Sequence, residues 1–234
     1  MILEKADNVN PDTYCYETSI QFSEDFCKRL LADILKDPSF LMQRKKYLDP
    51  TKHLDEIFEK LNFFEKKQFM RRMHQYQEKY KDKTLIDFTQ YFIPPDLEEE
   101  FNSLVPQWLK DIAPGEPRVG VQLSSGGDYL LPHKGHQRQS SLFMLLQGNG
   151  EETHWYRETG EFEVYDFFRV PDLNNIETIV RAQLQPFKWT LFNHKAWHSV
   201  HNFTPRGLRI NIGIDFDSVP AEELLKIVKE HESK

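Results

Sequence analysis

The amino-acid sequence predicts an α+β fold, in which helices pack outside a barrel or sandwich of β-strands. Apolar residues recur at helical spacing in the first half of the chain. After the Pro- and Gly-containing segment 113–117 the period changes from 3.6 to 2, which is typical of strands. An apolar stripe at helical spacing returns near the end of the chain. We therefore expect a mainly helical N-terminal region (1–117), a strand core (118–217) and a C-terminal helix (218–234), packed as one unit.

Three helices are predicted before the linker. The first begins after Ser23, whose hydroxyl can cap the first turn, and ends before Pro38. Its apolar positions are Phe26, Leu30, Leu31, Ile34 and Leu35. The second helix covers about 51–80 and the third about 96–110. A short strand is expected within 12–18.

Alternation of apolar and polar residues predicts most strands of the core, and a short apolar run at 142–146 predicts one that is buried on both faces. They fall at 118–123, 142–146, 153–157, 178–184, 189–191 and 210–216. In the last strand the even positions are large and apolar, and the odd positions are Arg209, Asn211, Gly213 and Asp215. We expect the apolar face to pack on the N-terminal helices and the other face to line the barrel mouth. An arginine there either binds a carboxylate ligand or forms an ordinary salt bridge.

Composition and charge exclude several classes of protein. With 39% hydrophobic and 13% aromatic residues, the chain has enough apolar surface to fold. A net charge of -7 and the lack of a long basic run disfavour nucleic-acid binding. No apolar run approaches the length of a membrane span or a signal sequence. Cys15 and Cys27 are too few for a disulfide framework, so we expect reduced thiols and a cytoplasmic location.

Six of the nine histidines lie between residues 133 and 201, and this grouping favours a metal site. His198 and His201 are three residues apart, so in an extended strand only one of them can point inward. The same argument separates His133 from His136. The position that shares a face with His133 is Gly135, which offers no ligand.

The spacing from His198 to Arg209 and then to Asn211 resembles the distal half of the iron(II)/2-oxoglutarate-dependent oxygenases. The resemblance covers about 118–216 and implies a double-stranded β-helix, the jelly-roll or cupin-like barrel. It implies that His133 and His198 hold Fe(II). It also implies that 2-oxoglutarate binds the iron and the Arg209 guanidinium, with a further hydrogen bond from Asn211.

The usual carboxylate ligand is missing, because Gly135 stands where that superfamily has Asp or Glu. The aspartyl/asparaginyl β-hydroxylases, which hold iron with two histidines and water, resemble the chain more closely, at 132–135 and 192–202. Three alternatives stay open. A halide could take the place of the carboxylate, as in halogenase-like enzymes; His136 could become a third ligand; or the barrel could be a cupin-like binding protein without oxygenase activity.

The leading prediction is therefore an Fe(II)/2-oxoglutarate-dependent dioxygenase, a hydroxylase, with no catalytic residue assigned beyond the metal site. Candidates for lining the substrate pocket are Arg138, Trp155, Tyr156 and Trp197, although core packing explains the aromatic residues equally well. Glu151 and Glu152 are expected on an exposed loop. The sequence leaves open the substrate, whether a small molecule or a peptide, and the oligomeric state.

Overall fold

The computed structural model describes thirteen stretches of the chain. These are 1–36, 62–64, 66–67, 70–71, 84–85, 89–91, 94–112, 118–123, 128–134, 138–148, 150–159, 175–201 and 208–234. The helix predicted over 51–80 therefore lies largely outside the described residues. No helix within the described stretches has the length and apolar character needed to cross a membrane.

Within these stretches the chain forms twelve strands and four α-helices with defined bounds, and residues 63–64, 66–67 and 70–71 are also helical. The helices are α1 (Glu24–Lys36), α2 (Pro95–Leu104), α3 (Gln107–Asp111) and α4 (Ala221–Glu232). The strands before the linker are β1 (Ile2–Lys5), β2 (Cys15–Glu17), β3 (Thr84–Leu85) and β4 (Thr89–Tyr91). The strands after it are β5 (Arg118–Leu123), β6 (Asp128–His133), β7 (Ser140–Gln147), β8 (Glu152–Glu158), β9 (Ile176–Gln183), β10 (Trp189–Asn193), β11 (Trp197–His201) and β12 (Leu208–Phe216).

The strands form two six-stranded sheets. Sheet 1 has the order β1-β9-β8-β11-β6-β3, and sheet 2 has the order β2-β10-β7-β12-β5-β4. From β5 to β12, consecutive strands lie in opposite sheets. The exception is β8 and β9, which pair antiparallel in sheet 1. This is the order of a jelly roll, the double-stranded β-helix, so the predicted fold class is confirmed. Among the described residues no strand pair joins the two sheets, so the barrel is an open sandwich.

The N-terminal region contributes strands to both sheets as well as helices. β1 pairs with β9 at the edge of sheet 1, and β2 pairs with β10 at the edge of sheet 2. β2 is the strand predicted within 12–18, whereas β1 was not predicted. At the opposite edges β3 pairs in parallel with β6 and β4 pairs antiparallel with β5.

The helices cover the outer face of sheet 2. The apolar side chains of β12 join one core cluster with those of α1, α2, α3 and α4, as the alternation predicts. In α1 the buried positions include Phe26, Leu30 and Ile34, whereas Leu35 is 41% exposed. The helix predicted over 96–110 is divided into α2 and α3. The division occurs because Val105 precedes Pro106 and adopts an extended backbone, with ψ at 124°.

The space between the two sheets has a different character from the helix-covered core. Trp155, Val180 and Ala182 of sheet 1 pack there against Leu145 and Phe192 of sheet 2. The odd-numbered residues of β12, which alternate with its helix-facing side chains, also face this space. The interior of the sandwich therefore combines aromatic walls with buried polar groups.

Candidate metal centre and carboxylate site

The pairing of β6 with β11 places the backbone positions of two predicted ligands opposite each other. His198 lies directly opposite His133 in this antiparallel pair. Directly opposed positions share one face of a sheet, with Cβ atoms about 4.5–5.5 Å apart. The register shifts between His198 and Val200, a strand irregularity that is common beside active sites. The two positions therefore share one face of sheet 1.

The His198 side chain is buried and oriented within the interior. It is 3% exposed, and its ring lies edge-on to Phe192 with 5.0 Å between centroids. Its Nδ1 lies 2.9 Å from the carbonyl oxygen of Ala196. Because a carbonyl can only accept, Nδ1 carries the proton and donates it. The lone pair of the neutral ring is then on Nε2, which is the arrangement that metal-binding histidines adopt.

The Ala196 carbonyl is positioned by a turn that Asn193 organises. The Asn193 Oδ1 accepts hydrogen bonds from the backbone N–H groups of Lys195, at 2.9 Å, and Ala196, at 3.1 Å. Its Nδ2 donates to the carbonyl of Thr13 at 3.0 Å. Asparagine closes such turns because its side chain mimics a backbone turn. Sequence reasoning missed this role, for which the only signal was an Asn at the start of a short connection between two strands.

Arg209 is buried on the interior face of β12 and already has an anionic partner. Its Nε donates to Glu151 Oε1 at 2.8 Å, and neither side chain is more than 6% exposed. The guanidinium carbon also lies 5.1 Å from the centre of the Phe143 ring. Burial lowers the pKa of Arg209, while the Glu151 carboxylate opposes that shift. The expectation that Glu151 lies on an exposed loop was wrong, because its side chain turns inward to compensate the arginine.

Asn211 follows Arg209 on the same face of β12 and is 4% exposed. Among the described residues its Nδ2 has no hydrogen-bond partner. A buried donor without an acceptor costs about 1–3 kcal/mol. An amide donor next to a guanidinium is a donor set that suits a carboxylate, and binding one would satisfy the Asn211 side chain.

Further polar contacts join strands of sheet 2 to residues just outside their ends. Arg138 donates to Asp215 Oδ1 at 3.4 Å, and Asp215 lies opposite Ser141 in the β12–β7 register. The Ser141 hydroxyl is 2.8 Å from His194 Nε2, and the His194 ring is 5.5 Å from that of His198. Arg138, a predicted pocket residue, is partly exposed while its partner is buried. It therefore places a positive charge at the rim of the interior.

The three aromatic pocket candidates do not lie together. Trp155 faces the interior, where its ring is 4.9 Å from that of Phe192 and it is fully buried. Tyr156 lies on the outer face of sheet 1, where its hydroxyl bonds to Ser199 and His201. Trp197 also lies on that face, with its Nε1 donating to Glu158. The positions of Tyr156 and Trp197 do not support a role in lining the interior.

The outer position of His201 agrees with the expected alternation. It stacks on His154, with 4.1 Å between ring centroids. The prediction that His136 is a third metal ligand falls on 135–137, which lie outside the described residues, as does Gly135. The described residues contain no group of three His, Cys, Asp or Glu side chains placed to hold a metal ion.

Comparisons with known proteins give distant structural likenesses. The nickel complex of the non-heme monooxygenase ThoJ has 10% identity and a TM-score of 0.41, over 86% of this chain and 72% of that one. A prolyl-4-hydroxylase from Pseudomonas putida has 10% identity and a TM-score of 0.44, over 87% and 91%. The vicilin from Solanum melongena has 14% identity and a TM-score of 0.32, over 56% and 28%. No family model and no curated protein matches the sequence. Similarity at this level does not support any conclusion about the chemistry of this chain.

Proposed function

We propose that the chain is an Fe(II)- and 2-oxoglutarate-dependent oxygenase of the hydroxylase type. The observation that carries this proposal is the direct pairing of position 133 with His198 inside a jelly roll. The Arg209 and Asn211 donors are buried on the interior face of β12, in the facing sheet. The combination supplies nitrogen ligands for a metal and hydrogen-bond donors for an acid.

The donor set fits iron. Imidazole nitrogens suit this metal, and the hydrogen bond from His198 Nδ1 to the Ala196 carbonyl would leave Nε2 to bind it. Iron(II), when bound, supplies the oxygen chemistry that couples decarboxylation of 2-oxoglutarate to oxidation of an unactivated C–H bond. The chain has to hold the ligands in place, orient the co-substrate and exclude water.

The interior supplies these three functions through separate residues. The Asn193 turn fixes the tautomer of His198. Arg209 and Asn211 would orient the distal carboxylate of 2-oxoglutarate through charge-assisted hydrogen bonds. The Phe143 and Phe192 rings, whose centroids are 5.8 Å apart, form an apolar wall that keeps water from the bound acid.

A second candidate is a cupin-like binding protein without oxygenase activity. The Arg209–Glu151 ion pair favours it, because the arginine that would hold the co-substrate is already compensated by the chain itself. In that case the interior would take a ligand without 2-oxoglutarate and without oxidation.

An anaerobic titration with Fe(II) and then 2-oxoglutarate tests the proposal. The oxygenase should develop a weak charge-transfer band in the visible range when both are present. His198→Ala should abolish the band and Arg209→Ala should weaken it. His201→Ala is the matched control, because this histidine faces the other side of the same strand, and it should retain the band. If the band never appears and neither ligand raises the melting temperature, the binding-protein alternative is favoured.

A further inference from the structure

The connection between β7 and β8 is shaped to bring a carboxylate to Arg209. Gly150 has a φ of 72°, a left-handed conformation that glycine adopts easily, and Glu151 follows it directly. A Cβ atom at Gly148 would lie 3.8 Å and 4.0 Å from the two Glu151 carboxylate oxygens. Gly148 and Gly150 therefore flank the inward-pointing Glu151, with Gly148 at ordinary contact distance from its carboxylate.

The guanidinium and the carboxylate of this buried ion pair carry no net charge between them. A carboxylate ligand that reaches Arg209 brings a second negative charge into a space that already contains one. Two carboxylates close together in a dry site repel each other, and the guanidinium cannot fully compensate both. A ligand carboxylate can bind well only if the Glu151 carboxylate moves away.

We propose that Glu151 is a built-in competitor at the Arg209 anion position and sets the selectivity of the pocket. In the ligand-free protein Glu151 compensates the arginine. A dicarboxylate of the right length displaces it, while its other end extends toward the metal centre. Anions that bind Arg209 alone gain too little to replace Glu151 and are excluded. The identity of the dicarboxylate as 2-oxoglutarate rests on the proposed function, whereas the competition itself does not.

The test separates the arginine step from the metal step. Glutarate, which has two carboxylates and no keto group, is titrated by calorimetry into the metal-free full-length chain. Glu151→Gln keeps an oxygen that can accept from Arg209 but removes the competing charge. It should bind glutarate at least ~10-fold more tightly than the native protein, because the bond from Arg209 to a neutral amide oxygen is weaker than the bond to the Glu151 carboxylate that has to be broken in the native protein. Glu152→Gln is the matched control, because this neighbouring carboxylate bonds to His154 on the other face, and its affinity should be unchanged.

A second variant keeps the test informative if Glu151→Gln is poorly folded. Glu151→Ala leaves a space beside the arginine, so acetate should raise its melting temperature but not that of the native protein or of Glu152→Ala. Equal glutarate affinity in the native and Glu151→Gln proteins, together with no acetate rescue, would overturn the proposal.

The proposed function is tested separately, by titrating 2-oxoglutarate and 2-oxovalerate into the protein loaded with Mn(II). The distal end is a carboxylate in 2-oxoglutarate and a methyl group in 2-oxovalerate. If Glu151→Gln gains glutarate affinity but no variant binds 2-oxoglutarate with the metal, the competition stands and the oxygenase proposal fails. If 2-oxoglutarate binds with the metal and Glu151→Gln gains nothing for either dicarboxylate, the oxygenase proposal stands and the competition fails.

Discussion

Disrupting the Arg209–Glu151 ion pair should cost far more stability when one partner is changed than when both are. Both side chains are at most 6% exposed, and Arg209 Nε lies 2.8 Å from Glu151 Oε1, so this is a buried ion pair. Arg209→Met or Glu151→Leu removes one partner of a buried ion pair, a change that costs about 3–5 kcal/mol. For a chain of this length that corresponds to a melting temperature lower by roughly 6–20 °C. The double variant should recover most of the loss, because an apolar pair can replace a buried ion pair with little penalty.

Urea unfolding of the native protein, both single variants and the double variant gives the coupling free energy directly. An exposed pair supplies the control: Arg157 and Glu177 lie 2.7 Å apart but are 55% and 48% exposed. Changing that pair should alter the free energy of unfolding by no more than about 1 kcal/mol. A cost under about 1 kcal/mol for each interior single variant, with additive effects, would show that the two buried charges are not coupled.

Three other outcomes are expected. Asn211→Leu removes a buried donor that has no acceptor among the described residues, so it should leave the free energy of unfolding unchanged or raise it by about 1 kcal/mol. The same variant should bind 2-oxoglutarate more weakly in calorimetry. A free energy of unfolding lowered by more than about 2 kcal/mol would contradict this. Burial raises the pKa of Cys15 to about 12 and that of Cys27 to about 11, so a thiol reagent at pH 8 should label neither until the chain is unfolded. Burial lowers the pKa of His154, so the unfolded state takes up its proton first and stability should fall as the pH drops below about 6.5; His154→Gln should show a smaller fall, and an equal fall would exclude this cause.

The sequence predicted the parts of the fold that follow from local periodicity. The alternation in β12 correctly separated a helix-facing apolar side from a polar side that carries Arg209 and Asn211. The same alternation assigned His198 and His201 to opposite faces. In each case the period of the backbone decides the direction of the side chain, so neighbouring residues contain the information.

The missed features depend on contacts between distant segments. Glu151 looks like an ordinary loop acid until the turn after β7 places it against Arg209, 58 residues away in sequence. Asn193 gains its role because it joins the Thr13 carbonyl to the turn before His198. Tyr156 and Trp197 are residue types that suit a pocket, but the strand register places them on the outer face of sheet 1. Residue type and spacing do not reveal such pairings.

The paired histidines are the centre of this account, and anaerobic equilibrium dialysis with Fe(II) tests them most directly. Iron bound per chain would be measured for the native protein and for single alanine variants. We expect about one iron ion per chain, lost in both His133→Ala and His198→Ala and retained in His201→Ala. Undiminished iron binding in either of the first two variants, with the fold intact by circular dichroism, would contradict a metal held between β6 and β11.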